Sequence, residues 1–403
     1  MTPESGTKRR KRKREKESAP GAPPSEPKGA AGETPDSESE ERSQPAPERD
    51  VHWERASKPD LSLEERLQGL GEKKLRAIMH DMLLGRRFEE KAAEAYALGK
   101  IGGFCHLYIG QEAVAAGGVY AQTEDDYLMT AYREHVHALL VGIDPKVVMA
   151  ELFGKEAGCS RGKGGSMHMF DKGKNYLGGH GIVGGQIPLA LGVAWAIKYR
   201  QEERVIQVYM GEAAVNQGAF HESLNMAALW ELPVVFVVEN NRFGMGTAWE
   251  RASSLYDISQ KASAYAMPSA IADGMDVLDV HRVIKQAVER ARSGSGPTLI
   301  EARTYRYVGH SMSDPVSGVY RTKEDVEREK EKDPIRAFAD VLDEAGLLSQ
   351  DELEKLDQEV KELAQEAFDW AEEQPDPEPD SLWQDVYRNS EVNGRLFLDG
   401  RER

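Results

Sequence analysis

Cysteine is nearly absent: the 403 residues hold only Cys105 and Cys159. Two distant cysteines leave no disulfide framework and no pair at metal-knuckle spacing. Long apolar runs are missing too. The longest, IPLALGVAWAI from Ile187, is short for a bilayer span and is marked by proline and glycine. No apolar stretch follows the N-terminal charges, which argues against a secretory signal. Glu15 and Glu17 interrupt the basic run without any amphipathic face, which argues against a mitochondrial presequence. These absences predict a soluble, intracellular protein without a membrane partner. The ten histidines carry no zinc signature. His135 and His137 share a predicted helix at a spacing that sends their rings to different sides, so both are expected to be structural.

The first fifty residues have almost no large apolar side chains and are rich in Pro, Glu, Ser and Gly. Such a segment cannot bury enough surface to offset chain ordering, so residues 1–60 are predicted to be a disordered tail. Its 11 Lys/Arg and 11 Asp/Glu within residues 1–50 cancel, which leaves the whole net charge of -17 on residues 51–403. The block KRRKRKREK, Lys8 to Lys16, is expected to be a solubilising arm. Binding of nucleic acid through it is the weaker alternative, because the folded body is acidic.

The body, predicted over residues 61–387 with a short tail at 388–403, opens with helical periodicity through Leu75, Ile78, Met79, Met82 and Leu83. A glycine-dense middle, Gly102 to Gly192, alternates helical runs (GQEAVAAGGVYAQ, PKVVMAELFG) with loops. A βα pattern follows: strand RVIQVYM, helix AFHESLNMAALW, strand PVVFVVEN, a helix from Asp279 to Arg292, and strand PTLIEARTY. The alternation predicts an α/β fold, a doubly wound and mostly parallel sheet with ligands at strand carboxyl ends. After Tyr305 the chain enters RYVGHSMSDPVSGVYRTKED, long for a connection and therefore expected to be functional. Charged helices come next, one opened by a capping box at Ser349 and Glu352. No internal repeat is visible.

Two glycine patterns fall short of the motifs they suggest. GHGIVG, with Gly179, Gly181 and Gly184, satisfies a dinucleotide fingerprint. No strand is expected before it, and Arg204 stands where an acidic ribose ligand belongs. GCSRGKGGS misses the P-loop spacing, and Gly164 replaces the hydroxyl residue; its glycines are expected to let backbone approach a ligand or a neighbouring chain. YMGEAAVNQG is different. The strand ending at Met210 brings Glu212 to the carboxyl edge of the sheet, and the next strand ends in Asn241. A carboxylate and an amide oxygen on consecutive strand ends, with a backbone carbonyl nearby, suit Mg²⁺ and leave room for diphosphate oxygens.

The stretch GEAAVNQG…NMAALWELPVVFVVENNRFGMGT resembles the thiamine-diphosphate motif of 2-oxo-acid dehydrogenase E1 α subunits, whose usual form is GDG, a spacer and NN. GFCHLYIGQEA, AYREH, GCSRGKGGSMHMF, GGHGIVGGQIPLALG and TYRYVGHSMSDP match in order from about Leu61 to Tyr387. AYREH and GKGGSMHM lean towards the pyruvate-type subfamily. The resemblance implies a fold of the thiamine-diphosphate-binding type, with thiamine diphosphate and Mg²⁺ as cofactors. It implies Glu212, Asn241 and the Phe243 carbonyl as metal ligands. Tyr132 and Arg133 match cofactor contacts, as do Gly181 and Val183 at the aminopyrimidine end and Ala213 and Ala214 at the diphosphate. His106 and His310 match active-site histidines, His310 also touching the cofactor. A separate β subunit in an α2β2 heterotetramer, an E2 core carrying lipoamide, and pyruvate as substrate are implied as partners. The implied reaction is oxidative decarboxylation with acetyl transfer to E2; the chain alone would be inactive.

Two departures stand in the motif. Glu212 replaces the usual Asp and is about 1.5 Å longer; Ala213 replaces the second Gly and requires a backbone outside the left-handed region. Val308 stands where many relatives have a second histidine. The alternatives are a branched-chain or acetoin E1, and a catalytically impaired scaffold subunit. The compartment expected is the cytoplasm in a bacterium and the mitochondrial matrix in a eukaryote.

Overall fold

The computed structural model describes residues 61–318 and 320–384. The predicted tails, including Lys8–Lys16 and residues 388–403, lie outside the described residues. Among the described residues eight strands run in chain order: β1 Tyr127–Ala131, β2 Tyr176–His180, β3 Ile206–Gly211, β4 Val234–Asn240, β5 Phe243–Gly244, β6 Thr247–Ala248, β7 Ser269–Asp273 and β8 Thr298–Arg303. β5 and β6 pair as a small antiparallel hairpin just after β4. The other six form one parallel sheet in the order β2-β1-β3-β4-β8-β7. This is the predicted α/β architecture.

β4 shows why the sheet is buried on both faces. Its β-branched and aromatic side chains favour extended backbone, and all seven residues are buried. Alternation then sorts them. Val235 and Val237 join a core beneath helices Glu72–Ala97, Val277–Arg292 and Gln350–Glu372. Val234, Phe236 and Val238 join a second core beneath helices Gln186–Arg200 and Gly218–Leu229. Full burial of one such side chain stabilises by about 1.5–3 kcal/mol. The capping box is present: Ser349 Oγ accepts from Glu352 N–H, and Glu352 Oε2 accepts from Ser349 N–H at 2.9 Å.

Some elements differ from the sequence-based expectation. β1, β2 and β7, and the helix Gln186–Arg200, were not anticipated. β2 is a poor strand on propensity, with two glycines in five residues, and is recruited by its ladder with β1. A strand therefore does precede GHGIVG, which forms a strand–turn–helix unit. Arg204 precedes β3, away from that turn, and donates to the Tyr127 hydroxyl at 3.0 Å. The helix expected from Asp279 opens at Val277, because Asp276 caps it by accepting from Leu278 N–H at 3.0 Å.

The strand order places the site. From β1 the chain steps to β2 on one side, then returns to β3 on the other. The reversal between β1 and β3 is a topological switch point, where carboxyl ends diverge and leave a crevice.

Candidate functional site

A cavity of about 570 Å³ opens at this switch point. Every site residue named from the sequence lines it. Tyr132 and Arg133 follow β1; Gly181 and Val183 follow β2; Glu212, Ala213 and Ala214 follow β3; Asn241 and Phe243 follow β4. His106 comes from the segment before helix Glu112–Val119, and His310 from the loop after β8.

Glu212 opens a 3-10 turn, Glu212–Asn216, and is only 2 % exposed. Its Oε1 has no hydrogen-bond partner. Burial pushes its carboxyl above the usual range, against the pull of Arg306 and Arg133. Ala213 lies in the same turn and does not adopt left-handed backbone, as its methyl group requires. Asn241 is fixed by donating from Nδ2 to Gln111 Oε1 at 2.9 Å, while its Oδ1 accepts from Phe243 N–H at 3.3 Å. An unpartnered buried carboxylate oxygen is costly unless something satisfies it. A hard cation would do so, and the oxygens present fit Mg²⁺. Among the described residues no cluster of three or more His, Cys, Asp or Glu could hold a metal. A cation here would therefore rely on neutral oxygens and on its co-ligand.

Opposite charge supplies the second half of the site. Arg133 and Arg306 are 7 % and 1 % exposed. Arg133 donates to the carbonyls of Leu107 (2.6 Å) and His310 (2.8 Å), and Arg306 to that of Val308 (3.1 Å). Among the described residues no ion pair joins either to a carboxylate. Burial, with Arg306 alongside, brings Arg133 down to about 10. Two buried guanidinium groups with neutral partners are complementary to an anion with several oxygens. Arg306 was missed from the sequence. Its signal is a lone cation in the apolar run Tyr305–Val308, just beyond the end of β8. Gln111 and Glu239 also line the cavity and were also missed. Burial pushes Glu239 up to about 7, although the Tyr108 hydroxyl donates to it.

The two histidines meet edge to face, ring centroids 5.3 Å apart, with the Tyr132 ring 4.6 Å from His106 and 5.8 Å from His310. The Nδ1 atom of each is unpartnered. Burial, with Arg133 nearby, brings His106 down to about 3; burial with Arg133 and Arg306 brings His310 down to about 4. Both rings are neutral at physiological pH. The loop carrying His310 is shaped by Arg321, which donates to the carbonyls of Arg306, Val308 and Val316 and lies over the rings of Tyr305 and Tyr320.

The other motifs resolve differently. His135 and His137 are fully buried. The glycine loop GCSRGKGGS wraps the chain's own Glu151. One carboxylate oxygen accepts from Ser160 and Gly162 N–H at 2.8 and 3.0 Å, the other from Gly164 and Gly165 at 2.7 and 3.0 Å. A side chain at Gly162 would meet the Gly154 carbonyl at 2.4 Å. Cys105 and Cys159 are free.

Residues 80–380 match the dehydrogenase E1 component family. The chain is 49% identical over 307 residues to the pyruvate dehydrogenase E1 component subunit alpha of Rhizobium meliloti, covering 76% of this chain and 88% of that protein. It is 46% identical over 307 residues to the subunit of the same name in Rickettsia bellii, covering 76% and 94%. In Zymomonas mobilis the identity is 48% over 307 residues, covering 76% and 86%. On the extent of these matches, the chain belongs to the dehydrogenase E1 component family.

Proposed function

We propose that this chain is the α subunit of a pyruvate dehydrogenase E1, binding thiamine diphosphate and Mg²⁺ in the switch-point cavity. One observation carries the reading: a buried carboxylate oxygen without a partner and two buried guanidinium groups, with no carboxylate paired to them among the described residues, line one cavity. A divalent cation together with a diphosphate would satisfy both. The names of the relatives support pyruvate as the 2-oxo acid.

In this reading Glu212, Asn241 Oδ1 and the Phe243 carbonyl would hold Mg²⁺. Arg133 and Arg306 take diphosphate oxygens, with the backbone at Ala213 and Ala214 alongside. Tyr132 adds a cofactor contact, and Gly181 and Val183 border the aminopyrimidine. When bound, thiamine diphosphate supplies the carbon nucleophile and the electron sink for loss of CO₂ from a 2-oxo acid. His106 and His310, neutral and with free Nδ1 atoms, hold and orient the substrate's oxygens and exchange protons with them.

In this reading a second chain completes the cavity wall. Val183 is a cavity residue that is 45 % exposed, and beyond it Ile182, Leu189, Trp195, Tyr199 and Leu229 present apolar surface. Exposed apolar side chains of this kind near a site suit an interface. A β subunit in an α2β2 heterotetramer would cover them, and a lipoamide-bearing E2 would accept the acetyl unit. No described helix is long and apolar enough to cross a membrane; the bacterial relatives support a cytoplasmic enzyme. The test is calorimetry of Mg²⁺ and thiamine diphosphate on the α–β complex, with decarboxylation of pyruvate and branched-chain 2-oxo acids compared. Absence of metal-dependent cofactor binding overturns the site; preference for a branched-chain substrate overturns the pyruvate reading.

A further inference from the structure

Behind the cavity, the segment that carries His106 is tied into a closed ring of hydrogen bonds. His106 N–H donates to Ser166 Oγ at 3.1 Å, and Tyr108 N–H donates to Glu89 Oε1 at 2.8 Å. One imidazole bridges those two anchors: His135 Nδ1 is 2.8 Å from Glu89 Oε2, and His135 Nε2 is 2.8 Å from Ser166 Oγ. Glu89 and His135 are 0 % exposed and Ser166 is 4 % exposed. The members come from helix Glu72–Ala97, helix His135–Leu140 and the turn Gly165–Met167, so the ring also locks three elements together.

His135 Nε2 also lies 3.2 Å from the Ser166 carbonyl. The ring closes when His135 Nδ1 donates to Glu89 Oε2. The Ser166 hydroxyl then donates to Nε2 and accepts from His106 N–H. Serine, histidine and carboxylate in this order are also the parts of a hydrolytic triad. Here the serine is occupied on both sides, and it is not among the residues lining the cavity. Its neighbours Met167 and His106 are.

We infer that Glu89, His135 and Ser166 form a buried clamp that fixes the position of the His106 imidazole in the cavity. All three are positioning residues for the reaction proposed above, and the inference rests on the reading of His106 as a substrate-facing group. A small displacement of a catalytic group costs up to about 100-fold in rate, which gives the clamp its value.

The test uses the assembled α–β enzyme. Neutron diffraction should find the His135 proton on Nδ1. In Glu89→Gln the amide keeps the size and still accepts from Tyr108, but its NH₂ faces Nδ1 and should force the proton to Nε2. In Ser166→Ala, hydrogen exchange of the peptide spanning residues 104–109 should quicken about tenfold or more as the His106 amide loses its partner. Turnover should fall by about 10–100-fold, with the KM for pyruvate and the Mg²⁺-dependent cofactor affinity within about twofold of the parent. A proton on Nε2 in the parent enzyme, or unchanged exchange in Ser166→Ala, overturns the clamp. Unchanged turnover in Ser166→Ala does so as well, provided that His106→Gln is impaired. Unimpaired turnover of His106→Gln overturns instead the role given to His106.

Discussion

The methyl group of Ala213 lies over Gly244 so closely that a side chain at Gly244 would come within 2.7 Å of it. Neither residue needs left-handed backbone. The alanine in the GEAA turn is therefore accommodated by a glycine in β5, thirty-one positions along the chain.

That contact predicts a compensating pair. Gly244→Ala alone should destabilise the protein by about 1–3 kcal/mol, the usual range for overpacking. Ala213→Gly added to it should recover most of the loss, since one methyl then occupies the shared space. Thermal denaturation of the single and double variants checks this, and simple additivity would show that the two sites do not interact.

Glu212→Gln separates a metal ligand from a structural turn. It keeps the size and removes a buried charge, so the cofactor-free protein should be as stable as the parent or more so. Mg²⁺-dependent thiamine diphosphate affinity in the α–β complex should fall by about tenfold or more. Glu212→Asp should also bind poorly, its carboxylate drawn back from a turn built for the longer side chain. Paired with Ala213→Gly it should regain binding. Intact calorimetric affinity in Glu212→Gln would remove the metal role.

Arg133→Ala and Arg306→Ala should each weaken cofactor binding by about 1.5–3 kcal/mol through loss of a charge-assisted contact. Both should also let His310 titrate nearer its ordinary value, because these two cations help to hold it at about 4. The acidic limb of the pH–activity profile should then move to higher pH. An unshifted limb in both variants would detach His310 from that limb.

His137 has both ring nitrogens unpartnered, between the rings of Tyr108 (5.1 Å) and Tyr209 (4.6 Å). Burial brings it down to about 3 in the folded protein, against about 6.5 in an unfolded chain. The unfolded state thus takes up the proton first, and stability is lost as pH falls from about 6.5 towards 3, by up to about 1.4 kcal/mol per pH unit. His137→Phe should abolish this share of acid lability. Chemical denaturation at pH 7 and pH 5 gives the difference, and an equal loss in parent and variant would refute it.

The parts legible in the sequence are those where local chemistry and tertiary role agree. PVVFVVEN reads as an apolar strand of a buried parallel sheet, and the βα pattern puts Glu212 and Asn241 at strand ends. What stayed hidden depends on partners distant in the chain. YLGGH becomes a strand because β1 pairs with it. Arg306 matters because Arg133, far earlier in the sequence, faces the same cavity. The glycines of GCSRGKGGS let the backbone close in, as their density suggests, and what they surround is Glu151 of the preceding helix. Spacing alone could not tell a ligand from an internal carboxylate.

Arg321 stands outside the cavity yet grips three carbonyls of the loop whose His310, Ser311, Ser313 and Asp314 line it. Shape and lining are thereby assigned to different residues. The lining can be varied for a new substrate while the grip preserves the path of the chain. A change at Arg321 would leave every cavity residue in place in the sequence and take away the frame that aims them.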